Sequence, residues 1–221
     1  MSGNQQSARD AVLGGIRASL GRGTTDAATV AALDTRIATR PGHTRPAQCG
    51  EFIDLFKQRF EARGGSVTSI AGREAFPQAV ADLLATLGLP PRIVVGGALA
   101  GITWPQGVEH EVRRAEKTDL VSVSACELAI AETGSLMFTA GPESPTTHNF
   151  VPDYQIVLLN AASMVCHLED AWEALRTRGA MPRAVNLVSG PSRTGDIEQT
   201  IQLGAHGPRR VFVMVYGTRA P

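Results

Sequence analysis

The sequence predicts an α/β fold: a largely parallel sheet in a three-layer α/β/α arrangement, with an N-terminal helical appendage. Three observations lead there. Short apolar runs alternate with amphipathic helical segments along most of the chain, as in successive βα units. Runs such as Ile93–Val95 and Val211–Val215 are continuous rather than alternating, which suits strands buried on both faces. The 221 residues are 43% hydrophobic, enough for one large core. That core is expected over residues 49–221, with residues 1–48 forming a helix and an irregular extension.

In order, residues 7–20 read as a helix with Val12, Ile16 and Leu20 on one narrow stripe. Residues 21–48, rich in Gly, Thr, Ala, Arg and Pro, read as a long irregular connection. Residues 51–63 are a helix: Phe52, Leu55, Phe56 and Phe60 share a face, and Gly64-Gly65 ends it. A strand over 67–70 and a helix over 76–87 follow, the latter closed by Gly88 and Pro90-Pro91. Residues 92–97 are a buried strand ending in glycines. Residues 98–119 are mixed, with Trp104 packed and the charges from Glu109 to Lys117 on a solvated face. Strands are expected over 120–124 and 136–139, with a short helix at 125–131 between them. Residues 141–153 form a loop suited to a lid or, equally, to packing beneath itself, with His148 as its group titrating near neutral pH. A strand at 155–159 and a helix at 164–177 lead to a strand at 184–188. A turn, a short helix ended by Gly204, a second turn and a last strand at 211–216 complete the chain.

Composition narrows the function. Lys plus Arg equals Asp plus Glu at 21 each, so nothing favours nucleic acid. No apolar run approaches the roughly 18 residues that span a bilayer. The first ten residues are polar, unlike a signal peptide, and a cytoplasmic protein is expected. Cys49, Cys126 and Cys166 are far apart, without a C-x-x-C pair or a nearby histidine set, so no metal site is expected in this chain. A G-x-G-x-x-G dinucleotide fingerprint is also missing.

Three turns carry chemistry. Ser189, Gly190, Pro191, Ser192, Arg193 and Thr194 stand between a strand and an expected helix. There, free N–H groups, hydroxyls and a guanidinium suit an anion. The alternative is a well-capped helix start with a solvated arginine. Asp196 and Glu198 fall in that helix's first turn, where carboxylates suit the dipole. In Glu132-Thr133-Gly134-Ser135, Gly134 permits a tight bend and Thr133 and Ser135 supply hydroxyls. Glu132 suits a base, a nucleophile or a hydroxyl acceptor; otherwise it bonds its own turn or pairs with Arg193. In the third turn, His206, Gly207 and Arg209 put an imidazole and a guanidinium beside a Gly/Pro bend.

The strings Ala131-Glu-Thr-Gly-Ser135, Ser189-Gly-Pro-Ser-Arg-Thr-Gly-Asp196 and Gly204-Ala-His-Gly-Pro-Arg209 together resemble the signature of the LUD-domain family, in particular its lactate-utilisation protein C (LutC) group. Gly195 stands where that family usually has Ala. The resemblance implies a fold similar to the ribose-phosphate isomerase, sugar-phosphate deaminase and CoA-transferase (NagB/RpiA/CoA-transferase-like) superfamily. It implies a component of bacterial L-lactate oxidation to pyruvate, acting with two iron–sulfur partner proteins (LutA- and LutB-like). The clusters would sit in those partners, and this chain would bind no cofactor itself. The expected site has Glu132 and His206 as proton-transfer candidates. Its ligand-binding set is Thr133, Gly134, Ser135, His148, Ser189, Gly190, Pro191, Ser192, Arg193, Thr194, Asp196, Gly207 and Arg209, around a small anionic substrate. The alternatives are a free-standing enzyme on a phosphorylated or CoA-linked molecule, and a non-catalytic scaffold for the iron–sulfur partners.

Overall fold

A computed structural model describes residues 3–21, 23–39, 50–194 and 202–218. The chain divides into two compact units, Met1–Pro46 and Ala47–Pro221.

The first unit holds two helices, α1 (Gly3–Ser19) and α2 (Ala27–Thr39). The second replaces part of the expected irregular connection. Asp26 explains its start: its carboxylate accepts from the backbone N–H of Thr29 at 2.8 Å and from the Thr29 hydroxyl at 2.7 Å. The alanines that follow are strong helix formers. Val12, Ile16 and Leu20, and on the second helix Val30, Leu33 and Ile37, are all exposed.

The second unit begins with α3 (Phe52–Glu61), β1 (Ser66–Ser69), α4 (Phe76–Thr86) and β2 (Arg92–Val95). It continues through β3 (Glu109–Val112), β4 (Val121–Ala125), β5 (Leu128–Ile130), β6 (Ser135–Thr139), β7 (Tyr154–Asn160) and β8 (Met164–Val165). It ends with α5 (Leu168–Thr177), β9 (Val185–Val188), β10 (Arg193–Thr194), β11 (Gln202–Leu203) and β12 (Arg210–Tyr216). Six strands form a wholly parallel sheet in the order β1-β12-β7-β4-β2-β3. The expected α/β class and parallel sheet are therefore present.

Each sheet face has its own core. On one face, Phe76, Val80 and Leu84 of α4 pack with Val95, Val123, Ile156, Phe212 and Met214; Trp104 joins them, as packing predicts. On the other, Phe56 and Phe60 of α3 meet Val157, Leu159, Val213 and Val215. That second face is shared with a four-stranded sheet, β8-β5-β6-β9, which sequence reading did not separate from the first. Leu136 and Phe138 of β6 face the parallel sheet, while Met137 faces Ala171 and Leu175 of α5.

Three expectations in this unit are corrected. Within 125–131, where a helix is expected, Leu128–Ile130 are a buried strand, paired with β6 on one side and, at Ala129 and Ile130, with β8 on the other. So short a run, apolar at every position, does not reveal its period. The solvated face expected at 109–112 is borne out: these residues are exposed and form an edge strand, whose charges guard the sheet edge. The helix expected from residue 164 starts at Leu168, because Met164–Val165 pair with β5. Finally, Arg193–Thr194 are extended and pair antiparallel with Gln202–Leu203, where the start of a helix was expected. Residues 195–201, with Asp196 and Glu198, lie outside the described residues. Gly204, at φ +82°, follows β11, and its N–H donates to Ser192 O at 3.0 Å.

Candidate functional site

The antiparallel pairing of β6 with β9 sets Leu136 opposite Val188, so Ser135 and Ser189 emerge side by side. Their hydroxyl oxygens are 2.6 Å apart, and Ser135 Oγ is 2.8 Å from Thr133 Oγ1. This makes a line of three hydroxyls, buried at Ser135 and half-buried at its ends. The turn before β6 lies against α3. Gly134 has φ +60°, and a Cβ there would stand 2.6 Å from Arg59 Cβ, so both conformation and space demand glycine.

Arginines border the hydroxyl line. Arg63, just past α3, donates from Nη1 to Thr133 O at 3.0 Å and to Arg59 O at 3.1 Å. Gly190, at φ +108°, brings the 189–192 turn against Arg63, whose Cβ would be 3.0 Å from an added Cβ. The Arg193 guanidinium lies over Gly64. The guanidiniums of Arg63, beside Thr133, and of Arg193, over Gly64, are of the kind that suits a carboxylate or phosphate. Arg193–Thr194 are strand, and the residues where the helix is expected to begin lie outside the described residues.

Glu132 is turned to α5. Its Oε1 accepts from the N–H of Leu168 at 2.8 Å, capping that helix, and its Oε2 accepts from His167 Nδ1 at 2.8 Å. The other ring nitrogen, His167 Nε2, is 3.1 Å from Cys166 Sγ. His167 is buried, and its own N–H donates to Asp170 at 3.1 Å. Glu132 thus orients an imidazole, a pairing that sequence reading missed although His167 opens an evident helix.

Ser192 links the second motif to the third. Its N–H donates to Pro208 O at 2.8 Å, and its hydroxyl accepts from the N–H of His206 at 3.3 Å. Gly207 sits between Ser192 Cβ and the backbone of Asn149, 3.4 and 3.7 Å from where its Cβ would be. The His206 side chain is exposed. Arg209 lines a cleft of about 400 Å³ with Asp153, Leu203, Gly204 and Ala205, at the amino ends of β7 and β12.

His148 is not on an exposed lid. It is buried in a 3-10 turn (Thr146–Asn149), where its carbonyl accepts from Ser122 Oγ at 2.8 Å. Its Nε2 lies 2.8 Å from Arg113 O, an atom that can only accept, so Nε2 carries the proton. Burial pushes its pKa below the ordinary histidine value. Beside it, Gln155 Nε2 donates to Asn149 Oδ1 at 2.8 Å. Both residues are buried, and neither their amide chemistry nor their spacing marked them in the sequence.

The structure thus gathers Thr133, Gly134, Ser135, Ser189, Gly190 and Arg193 around α3. Through Pro191 and Ser192 it joins them to His206, Gly207 and the 148–149 turn. Glu132 and His206, expected to share proton chemistry, stand on different segments: one is committed to α5, the other lies on the outer turn.

These features define an α/β domain whose principal sheet is parallel and whose motif turns border a smaller mixed sheet. The chain belongs to the LUD domain family, whose model matches residues 53–216. The resemblance seen in the three motifs is therefore borne out. Among relatives, "Lactate utilization protein C" of Deinococcus radiodurans is 27% identical over 180 residues, covering 78% of this chain and 82% of that protein. The protein of the same name from Halalkalibacterium halodurans is 27% identical over 115 residues, covering 50% of each chain. An uncharacterised Neisseria meningitidis protein is 38% identical over 92 residues, 41% of this chain and 40% of that protein. The chain spans about half the length, or less, of several curated relatives it matches. The crystal structure of a DUF162 family protein from Deinococcus radiodurans shares the fold, with a TM-score of 0.57 at 22% identity, covering 75% of this chain and 96% of that one. Among the described residues, no helix is long and apolar enough to cross a membrane.

Proposed function

We propose that this chain is the LutC-like component of a bacterial system that oxidises L-lactate to pyruvate. The observation that carries the reading is the match of residues 53–216 to the LUD domain, together with several relatives called lactate utilization protein C. The electrons go to iron–sulfur partner proteins, LutA- and LutB-like, because no cysteine pattern in this chain would hold a cluster. The ligand is a small carboxylate. Its oxygens are held by Arg193 and Arg63, and its polar substituent meets the Thr133, Ser135 and Ser189 hydroxyls. Glu132 acts by positioning His167. The protein works in the cytoplasm.

Reconstitution tests the reading. The chain is mixed with a LutA-like and a LutB-like iron–sulfur protein, and L-lactate-dependent reduction of a dye is followed. Activity that needs all three, and falls at least tenfold with Arg193→Ala at unchanged assembly, is expected. Full activity without this chain would sink the proposal.

A further inference from the structure

Open parallel sheets bind ligands beyond the carboxyl ends of two neighbouring strands whose chains leave in opposite directions. The Ser189 turn does not meet that description, because β9 belongs to the mixed sheet. The pair that does is β2 and β4. From β2 the chain passes to β3 on one side, while from β4 it passes through the second sheet to β7 on the other. A cleft of about 530 Å³ lies at their carboxyl ends. That volume is within the range of small-molecule sites.

The cleft is built rather than incidental. Ala98 follows β2, Ala125 ends β4, and Cys126 and Glu127 come directly after it. The loop at residues 141–144 is tied over them: Ala98 N donates to Glu143 O at 3.0 Å. A Cβ on Gly97 would come within 2.9 Å of Glu143 Cα, so glycine permits this closure. Gly141 and Ser144 exchange backbone hydrogen bonds of 3.3 and 3.1 Å, which stiffen the loop.

Its chemistry is selective. The Glu127 carboxylate is one-third exposed, fixed by Thr139 Oγ1 at 3.1 Å and by an ion pair with Arg178. The Cys126 thiol donates inward to Leu128 O at 2.8 Å, and burial pushes its pKa up to about 12, so it offers no thiolate. The charged residues lining the cleft, Glu127 and Glu143, are both acidic. Arg178 offsets the Glu127 charge, so the excess is the one negative charge of Glu143; that excess and the remaining carboxylate lone pairs favour hydrogen-bond donors and positive charge over an anion.

We propose that this cleft is a second ligand site, which takes a small molecule bearing an ammonium group and hydroxyls, its donors on Glu127 and its carbon skeleton against Ala98 and Ala125. The site is separate from the motif turns and does not depend on the lactate reading.

The test is an amide NMR titration of the full chain with two matched probes. One is the cation tris(hydroxymethyl)aminomethane, the other the anion 2,2-bis(hydroxymethyl)propionate. The cation should shift the amides of Ala98, Ala125 and Thr139 saturably, and the anion should leave them in place. Glu127→Gln should weaken the cation at least tenfold. Ala98→Trp, at an exposed position, should block the cleft without touching the carboxylate, and it decides the matter should Glu127→Gln lose its dispersed spectrum. Equal responses to both probes, or a cation response unchanged by Ala98→Trp, would overturn the proposal.

Discussion

Glu132 uses its two carboxylate oxygens for different ends: one closes a helix, the other aims a ring. Glu132→Ala removes both, leaving the Leu168 N–H and the buried His167 ring without their acceptor. The expected loss is about 1.5–3 kcal/mol, read as a lower urea midpoint at constant m. Glu132→Gln keeps an acceptor for Leu168 and should lose less; equal losses would show that the Leu168 contact contributes nothing. Gly134→Ala meets a worse difficulty, since positive φ and the nearby Arg59 both oppose a Cβ. A loss of at least about 1–3 kcal/mol is expected in the same measurement. His148 adds a pH dependence of known sign. Its folded pKa is depressed by burial, so the unfolded chain takes up the proton first as pH falls. The stability it contributes is complete above the ordinary value near 6.5 and is lost as pH drops through the lower folded value. His148→Gln should therefore flatten the decline in stability between pH 7.5 and 5.5 relative to the parent; parallel curves would refute the assignment.

Among the elements, those with a strong period were legible and those without one were not. Phe52, Phe56 and Phe60 announce α3, and the valines of β12 announce a strand buried on both faces. Leu128–Ile130 gave no period to read, and Arg193–Thr194 followed a Gly-Pro bend that suits a helix start as well as a hairpin. The motif residues were found for their chemistry, whereas Arg63 and His167 were not, because their roles arise where segments far apart in sequence meet. In the first unit, Leu33 and Ile37 are exposed on α2. Changing both to serine should leave the main unfolding transition of residues 47–221 within about 0.5 kcal/mol, as expected for surface positions. A larger fall would mean that this stripe is covered in solution.

At the scale of the whole molecule, β12 and β7 pair along their full length in the middle of the parallel sheet. Amides of these strands should be the slowest to exchange with deuterium, and those of α1 and α2 among the fastest. Uniform protection across the chain would contradict this ranking. The parallel class followed from the alternation of elements, but the strand order could not, because nothing local in Ser66–Ser69 specifies Phe212–Val215 as its partner. That pairing has a consequence for synthesis on the ribosome. The first strand of the sheet, β1, has only the last-made strand as its neighbour, and β12 must enter between β1 and β7. Until Arg210–Tyr216 leave the exit tunnel, two strands wait with open edges and their apolar faces incompletely covered. Nascent chains of this protein should therefore depend on chaperone holding until β12 has emerged, and a chain stopped before Arg210 would leave the centre of the sheet unfilled.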